Sequence, residues 1–594
     1  MQADQGVDSP AQESSWGLRP LILAGIGLVA GLLVHWVLGK VRYEFNLGAV
    51  QAALVTGIAT AAILTGFTLE RRRWLASALF SLGTALVAAL VIYWNGSPGG
   101  WSASEGWRTI SLLLAVAIAA PLFQAARDEG VPRFPYASAH DHAWTNVVLW
   151  FACCLFVVIV FLMAWLLAAL FGLIKIELLR RLLEKDWFWR ALIGVAFGAG
   201  LGLLRENDNV VRLLQRVVAT VLAVLAPVLA IGLALFLLAL PFTGLQALWD
   251  ATSATTPILL FCVVGALILA NAVIGNMPEH ERRFPLLRYG AMLLAATILP
   301  LAIIAAIATG LRIGQYGFTP ERLWAVVFVT LACLYGAAYL VSLVLGRLGW
   351  TARVRPANLA LAFVTCGIAL LLATPLVSFN AISTRDQLAR LESGRTTPEK
   401  FDWRALAFDF GEPGKAALKR LQASSNSRIR ALAADAAKAE EPWQVAEASR
   451  VEANRATVAK NLRVLPEGQP PAGVIKAIVE TNDCLGGQRC TLVMVSPEEA
   501  VVFEDRCFAA PKPNPSSSPK GNERTLKTVE VFGCDGTHLN LRGGQWEQGD
   551  SAPTITWNQR AALAADYAAG RVEIRSVPRR QVFVGGIPVG DAFE

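Results

Sequence analysis

A succession of long apolar stretches fills the first 384 residues, and it limits the fold more than any other feature of the sequence. A helix needs about 20 apolar residues to cross the hydrocarbon core of a bilayer. The sequence therefore predicts an α-helical polytopic membrane domain over residues 20–376 with eleven transmembrane helices. The predicted spans are Pro20–Leu38, Leu47–Leu69, Trp74–Trp94, Trp107–Gln124, Trp144–Ile174, Phe188–Leu204, Val217–Pro241, Pro257–Asn276, Leu287–Gly310, Leu323–Gly346 and Pro356–Thr374.

The composition supports a membrane protein and argues against a nucleic-acid partner. Hydrophobic residues make up 55% of the chain and charged residues 16%, whereas soluble domains carry about 25% charged residues. The net charge of +8 does not form a basic patch on a soluble domain, because 28 basic and 27 acidic residues nearly cancel from Arg385 onward. The basic excess lies between the apolar stretches, so the expected partner is the lipid bilayer.

Arginines in the short connections predict the orientation, because cytoplasmic loops of membrane proteins are enriched in Lys and Arg. With the tail of residues 1–19 in the cytoplasm, Arg71–Arg73 and Arg282/Arg283 fall on the same side. Lys175–Trp189 is the exception, and its leucine spacing predicts an amphipathic interfacial helix. The Phe188–Leu204 stretch contains the shortest run of uncharged residues, so it is compatible with a membrane span or with a re-entrant segment. Eleven spans place everything after Thr374 outside.

The tail is expected to contain a helical segment over residues 384–465 and a β-rich domain over residues 473–594. Segments rich in Ala, Leu, Arg and Glu predict the helices, the last of them at Pro442–Leu462. Val474–Thr481, Thr491–Val495, Ala500–Phe503, Thr528–Phe532, Val572–Ile574 and Gln581–Val584 have β-strand composition. Gly585 and Gly586 predict a two-residue hairpin after the last of these strands.

Four of the nine cysteines lie close together in the tail. An even set in a small extracytoplasmic domain is typical of disulfides, and zinc is disfavoured because no pair has CxxC spacing and the only nearby histidine is His538. Free thiols are the third reading. The favoured pairing joins the first two cysteines across Gly486-Gly487 and then the last two. The four disulfide candidates are Cys484, Cys490, Cys507 and Cys534.

Motifs for metal or cofactor binding are not convincing. His140 and His142 flank Asp141 just before the Trp144 span, but two histidines two residues apart cannot share one helix face. We therefore interpret Asp141 as the cap of that span and expect no metal and no cofactor. Gly27-xxx-Gly31 and Gly198-xxx-Gly202 predict close helix packing in a membrane.

Two short segments and the order of spans and tail resemble those of a known family. Arg312-Ile313, Tyr316-Gly317-Phe318-Thr319 and the tail segment 580–586 (RQVFVGG), together with the layout, resemble an uncharacterised family of polytopic bacterial inner-membrane proteins, known as a domain of unknown function. The resemblance implies residence in the inner membrane with several spans. It implies no activity, no cofactor and no catalytic residue.

Three functions are compatible with these patterns. The first is a non-enzymatic envelope protein that displays a disulfide-containing periplasmic domain to a periplasmic or membrane partner; the span centres, which hold no Asp, Glu, Lys or Arg, favour it. A transporter or channel is the alternative, since Pro121, Pro227 and Pro300 interrupt spans. A lipid-linked transferase would need outward carboxylates, for which Glu44, Glu105 and Glu321 are the candidates. In the outward segment Arg312–Arg322, we expect Arg312, Tyr316 and Arg322 to line the outer face.

Overall fold

The computed structural model describes residues 16–39, 47–130, 133–251, 254–445, 458–481, 484, 489–504, 537–549, 569, 580–584 and 587–593. By its internal contacts the chain divides into two units, Met1–Arg430 and Ala431–Glu594. The first unit is helical in its described residues. The second combines helices with a small β-sheet.

The first unit confirms the predicted fold class, because eleven of its described helices are long and apolar enough to cross a membrane. The two longest are α5, with 38 residues, and α8, which is kinked at Gly244 (φ 73°). These eleven helices are α1 (Arg19–Leu38), α2 (Ala49–Thr68), α3 (Trp74–Asn95), α4 (Ala103–Glu129), α5 (Tyr136–Leu173), α7 (Asp186–Glu206), α8 (Asp208–Ala251), α9 (Thr255–Ile274), α10 (Pro285–Tyr316), α11 (Pro320–Gly346) and α12 (Thr351–Ala373).

The sixth stretch forms the full-length helix α7, which packs antiparallel to α1. The two helices touch through their backbones at three levels: Gly27 lies against Gly194, Gly31 against Arg190, and Leu23 against Gly198. Such contact requires residues without a side chain, since a Cβ atom built on Gly27 would lie 1.9 Å from the Gly194 carbonyl oxygen. The close packing predicted from the two glycine motifs is confirmed.

The predicted amphipathic helix at Lys175–Trp189 is shorter than expected. Only α6 (Leu178–Leu183) is helical before α7 begins at Asp186. Its basic residues are paired locally, with Arg181 Nη2 2.9 Å from Glu177 and Arg180 Nε 3.5 Å from Glu184. These exposed pairs offset the charge of the two arginines.

The largest apolar core of the first unit lies where α8, α9, α10, α11 and α12 meet. Alanines and leucines of these helices interdigitate, and Leu294, Ile298 and Leu301 of α10 are fully buried at its centre. Tyr339 and Trp350 close this core at one end, and both side chains are at most 1% exposed. The centre of the bundle is thus solidly packed with small and branched side chains.

Three more helices of the tail follow the last span. They are α13 (Phe379–Glu392), α14 (Gly411–Leu421) and α15 (Ser427–Lys438), in agreement with the predicted helical segment. Of the predicted helix Pro442–Leu462, residues 446–457 lie outside the described residues. Its last residue, Leu462, instead begins the first strand, β1 (Leu462–Leu465).

The second unit contains a five-stranded sheet in the order β1-β2-β3-β4-β5. The pair β1–β2 is parallel and the other pairs are antiparallel. A separate hairpin pairs β6 with β7, as the glycine pair predicted. The remaining strands are β2 (Cys490–Ser496), β3 (Glu499–Glu504), β4 (Thr537–Arg542), β5 (Gln545–Gln548), β6 (Arg580–Val584) and β7 (Ile587–Phe593).

The strand predicted at Val474–Thr481 is wrong, because residues Val474–Glu480 form helix α16. Parallel neighbours such as β1 and β2 need a crossover connection, and α16 is the helix within it. Val474, Ala477 and Ile478 are buried, which is the i, i+3, i+4 spacing of a helix face. Strands β4 and β5 were not predicted, and the predicted strands Thr528–Phe532 and Val572–Ile574 lie outside the described residues.

The α1–α7 contact generates a stability prediction. Gly27→Ala inserts a methyl group into backbone-to-backbone contact, and we expect it to lower the free energy of unfolding in detergent micelles by about 1–3 kcal/mol. Gly25→Ala on the same helix is the matched control, because a Cβ atom there meets nothing within 4 Å. Equal stabilities of the two variants would contradict the packing of α1 on α7.

Candidate functional site

The polar side chains of the bundle collect where helix ends meet. Successive spans alternate in direction, so the start of α1 lies beside the ends of α2 and α7. We call this end of the bundle the arginine face and define it by Arg19, Glu70, Arg127, Arg205 and Arg355. Arg19 and Arg355 lie near the amino ends of their helices, whereas Glu70, Arg127 and Arg205 lie at carboxyl ends, where carbonyl groups lack intrahelical partners.

Glu70 is the centre of the first network on the arginine face. Its carboxylate accepts hydrogen bonds from Arg19 Nη2 at 2.8 Å and from Arg205 Nη2. Arg205 also donates to the Gly66 carbonyl oxygen of α2 at 2.6 Å, and Arg19 Nε lies 3.4 Å from Glu206. The side chains of Arg19, Glu70 and Arg205 are only 10–23% exposed. One carboxylate therefore joins the ends of α1, α2 and α7.

A second network joins α2, α4 and α5. Arg127 donates to the Thr68 carbonyl oxygen, and its Nε and Nη2 lie 2.8 and 2.6 Å from Asp128 Oδ1. The other oxygen of Asp128 is 2.8 Å from His142 Nε2. Gln124 Nε2 donates to the Phe67 carbonyl oxygen at 2.9 Å. These bonds satisfy carbonyl groups at the carboxyl end of α2, which apolar side chains could not do.

A third network lies between α9, α11 and α12. Arg355, on α12, donates to the carbonyl oxygens of Ile274 at 2.9 Å and Met277 at 3.3 Å, and it lies 3.5 Å from Glu281. One turn further along α12, Asn358 Nδ2 donates to Asn271 Oδ1 at 2.8 Å. Asn271 in turn donates to the hydroxyl of the buried Tyr339 at 2.7 Å. The polar residues Asn271 and Asn358 thus pair with each other.

Two cavities open between these networks. The first has a volume of about 570 Å³ and is lined by members of the first two networks, including Arg19, Glu70 and Arg127. The second, of about 480 Å³, is lined by residues of α5, α8 and α9 and of the α9–α10 connection. Asp141, Arg212 and Gln215 line both cavities. We call the second cavity the vestibule.

The His140-Asp141-His142 segment does not cap a span as predicted. Helix α5 already begins at Tyr136, so Asp141 lies inside the helix and accepts a hydrogen bond from Asn276 Nδ2 at 2.9 Å. The two histidines diverge: His142 contacts Asp128, whereas His140 Nε2 accepts from the Trp144 indole at 3.2 Å. Within the described residues, no group of three His, Cys, Asp or Glu side chains could hold a metal ion.

The opposite end of the bundle holds the predicted segment Arg312–Arg322, which is mostly helical and is not an open loop. Arg312 and Tyr316 lie in the last turns of α10, and Arg322 lies in the first turn of α11. The helix continues to Tyr316 because the first residue with a positive φ is Gly317, at 76°. Arg322 lies over the Tyr316 ring at 5.3 Å and donates to the Gly317 carbonyl oxygen at 2.8 Å.

The turn after Tyr316 is held by helix α13. Asp386 Oδ2 accepts from the Phe318 N–H at 2.7 Å, and Gln387 Nε2 donates to the Tyr316 and Phe318 carbonyl oxygens at 2.9 Å. A Cβ atom on Gly317 would lie 2.5 Å from Asp386, so only glycine fits this contact. We call Gly317, Phe318, Asp386 and Gln387 the clamp. It fixes the first helix after the last span to the α10–α11 turn.

Two of the three carboxylates considered for a transferase lie among the described residues, each near the start of a helix. Glu105 accepts from the Ser102 N–H at 2.9 Å and so caps α4. Glu321 lies in the first turn of α11, a favourable position for an acid. Glu44 lies outside the described residues.

Two of the tail cysteines form a bond in the structure. Cys484 and Cys490 are joined by a disulfide, and both are buried in the core of the second unit with Leu492, Val502 and Trp546. The bond connects the region after α16 to the first residue of β2. Cys507 and Cys534 lie outside the described residues, so their pairing stays a prediction.

The arginines of the short connections predict an orientation, but their contacts could not be predicted from the sequence. Glu70, one residue before Arg71–Arg73, was the available signal, since it is an acid in an otherwise basic connection. Its partners could not be found from the sequence, because Arg205 lies 135 residues away.

Removing the carboxylate of Glu70 is expected to destabilise the first unit. Glu70→Gln removes the carboxylate shared by the largely buried guanidinium groups of Arg19 and Arg205, and we expect the free energy of unfolding to fall by about 2–3 kcal/mol. Glu177→Gln is the control, because its pair with Arg181 is mostly exposed and worth under about 1 kcal/mol. Chemical unfolding in micelles measures both. Similar losses in the two variants would show that Glu70 has no special role.

Comparison with known proteins gives one family and no individual relative. The family model described as "Domain of unknown function (DUF4153)" matches residues 52–421. This range includes all the spans after α1 and extends through α13 and α14, so the clamp lies within the family domain. No curated protein and no solved structure matches the chain. Because the match covers more than half of the chain, this integral membrane protein belongs to the DUF4153 family.

Proposed function

We propose that this protein is a non-enzymatic envelope protein of the bacterial inner membrane. Its helical domain anchors a tail that begins with α13, and that tail presents a disulfide-containing domain to a partner on the periplasmic side. The observation that carries this proposal is the clamp, in which Asp386 and Gln387 bind the backbone of the α10–α11 turn.

The clamp supports an anchoring role because of what it restrains. Only residues 374–378 separate the end of α12 from the start of α13. These residues form no helix, so they do not by themselves fix the orientation of α13. Five side-chain-to-backbone bonds hold it, including those of Arg390 to the carbonyl oxygens of Gly314 at 2.9 Å and Gln315 at 3.1 Å. Trp324 packs edge-on against Phe379 at 5.1 Å and covers the start of the helix.

The packing of the bundle also favours an anchor over the transport alternative. Fully buried apolar side chains fill the centre of the α8–α12 core. The two polar cavities lie at the arginine face, at the ends of the helices, and a carrier would place its substrate site near mid-depth. The disulfide between Cys484 and Cys490 suits a domain outside the cytoplasm, where such bonds persist.

The orientation is tested by labelling single cysteines in intact cells with a membrane-impermeant maleimide. We expect Glu594→Cys to react, and Arg72→Cys and Arg283→Cys to react only after lysis. Native Cys484, Cys490, Cys507 and Cys534 should react only after reduction. Labelling of residue 72 in intact cells, or four free thiols before reduction, would overturn the proposed orientation.

The role of the tail is tested by complementation of a deletion strain scored for envelope defects such as detergent sensitivity. We expect a chain that ends at Glu440 to reach the membrane in normal amounts but to fail to complement. Full-length Gly317→Ala should complement poorly, because Ala introduces a strained positive φ worth about 1–2 kcal/mol and a clash with Asp386. Gly314→Ala is the control, since a Cβ atom there meets nothing within 4 Å. Full complementation by the shortened chain would favour transport by the membrane domain.

A further inference from the structure

The vestibule contains three arginines that have a different environment from the others on the arginine face. Arg19, Arg205 and Arg355 each lie within 3.5 Å of a glutamate, and Arg127 binds Asp128. The three arginines that line the vestibule are Arg212, Arg216 and Arg282, and no carboxylate of the described residues lies within 4.0 Å of them. The basic residues at this end of the bundle thus form two groups: one is paired with carboxylates and joins helices, and the other lines the vestibule without a described carboxylate within 4.0 Å.

The unpaired arginines lie along one wall of the vestibule. Arg212 and Arg216 are four residues apart on α8, so their side chains lie on the same face of the helix, about 6 Å apart along its axis. Arg282 reaches this wall from the α9–α10 connection, where its Nη2 donates to Thr220 Oγ1 at 2.8 Å. Thr220 is one further turn along α8, and its hydroxyl donates to the Arg216 carbonyl oxygen at 2.6 Å. Two elements therefore bring three positive charges together.

Uncharged polar side chains and carboxylates also line the vestibule. The uncharged polar residues are Asn271, Asn276 and Gln215. Two of its carboxylates are already engaged, since Asp141 accepts from Asn276 and Glu281 lies against Arg355 and Thr351. Glu279, which is exposed at the rim, is the remaining acid. At about 480 Å³ the space falls within the usual size of small-molecule sites.

We propose that the vestibule binds a phosphate group, with Arg212, Arg216 and Arg282 as its ligands. The planar guanidinium group donates two parallel hydrogen bonds to phosphate oxygens, and three such groups on one wall match a multiply charged anion. The phosphate can be carried by a phospholipid headgroup or be free in solution, because the vestibule lies at the ends of the spans. This site is separate from the clamp and goes beyond the anchoring function.

The test compares two probes on the purified full-length protein. Inorganic phosphate is titrated in micelles at constant ionic strength, with the unfolding temperature as the readout. Binding of lipid is measured in parallel on protein reconstituted in vesicles of phosphatidylcholine with or without phosphatidylglycerol. We expect Arg282→Gln to weaken about tenfold the binding of whichever probe the wild-type protein binds, because one charge-assisted pair of hydrogen bonds is lost. Arg283→Gln is the matched control, since it is the neighbouring exposed arginine and does not line the vestibule.

A second variant separates electrostatics from folding. Glu279→Gln removes the free acid at the rim, and we expect it to strengthen binding several-fold because repulsion of the anion is lost. A response to inorganic phosphate supports a free ligand, and a response only to phosphatidylglycerol supports a lipid headgroup. The proposal is overturned if neither probe binds, if Arg283→Gln weakens binding as much as Arg282→Gln, or if Glu279→Gln weakens it.

Discussion

The bilayer demands that every backbone amide and carbonyl group within it be bonded inside the protein. Helices meet this demand along their length but fail at their last turns, where carbonyl groups are left without partners. The placement of polar and charged side chains in the first unit follows from these unpaired carbonyl groups. Its apolar helices pack through alanine, leucine and glycine in the middle, and its charged side chains collect at the ends. Arg127, Arg205 and Arg355 each donate to terminal carbonyl oxygens of another helix.

The carboxylates at this end of the bundle balance the charge of the largely buried arginines. A guanidinium group with little exposure is costly unless it is paired and hydrogen-bonded. Glu70, Asp128 and Glu281 supply the pairs, and each stands at a junction of two or more helices. The three arginines of the vestibule depart from this pattern. They line a cavity, and no carboxylate of the described residues lies within 4.0 Å of them, which is why we assign them to a ligand.

The two ends of the bundle have different chemistry. The arginine face is dominated by ion pairs around polar cavities, whereas the clamp at the other end uses a single helix to bind the backbone of one turn. Asp386 and Gln387 recognise main-chain groups, so the side chains of that turn are free to vary while Gly317 is not. The match to the DUF4153 family extends past the clamp to residue 421. The clamp is therefore part of the same domain as the spans.

The sequence by itself determined the number of spans, their approximate limits, the close helix packing at the two glycine motifs and the helical start of the tail. These properties depend on local composition and spacing, and hydrophobic length and glycine periodicity report them directly. Only the tertiary structure decided the partners of Glu70, the place of Asp141 inside a helix, and the clamp on Gly317. Such contacts join residues tens to more than a hundred positions apart, and the spacing of residues along the chain carries no information about them. The helix α16 was missed for a related reason: its β-branched residues suggest a strand, but the parallel pairing of β1 with β2 requires a crossover at that position.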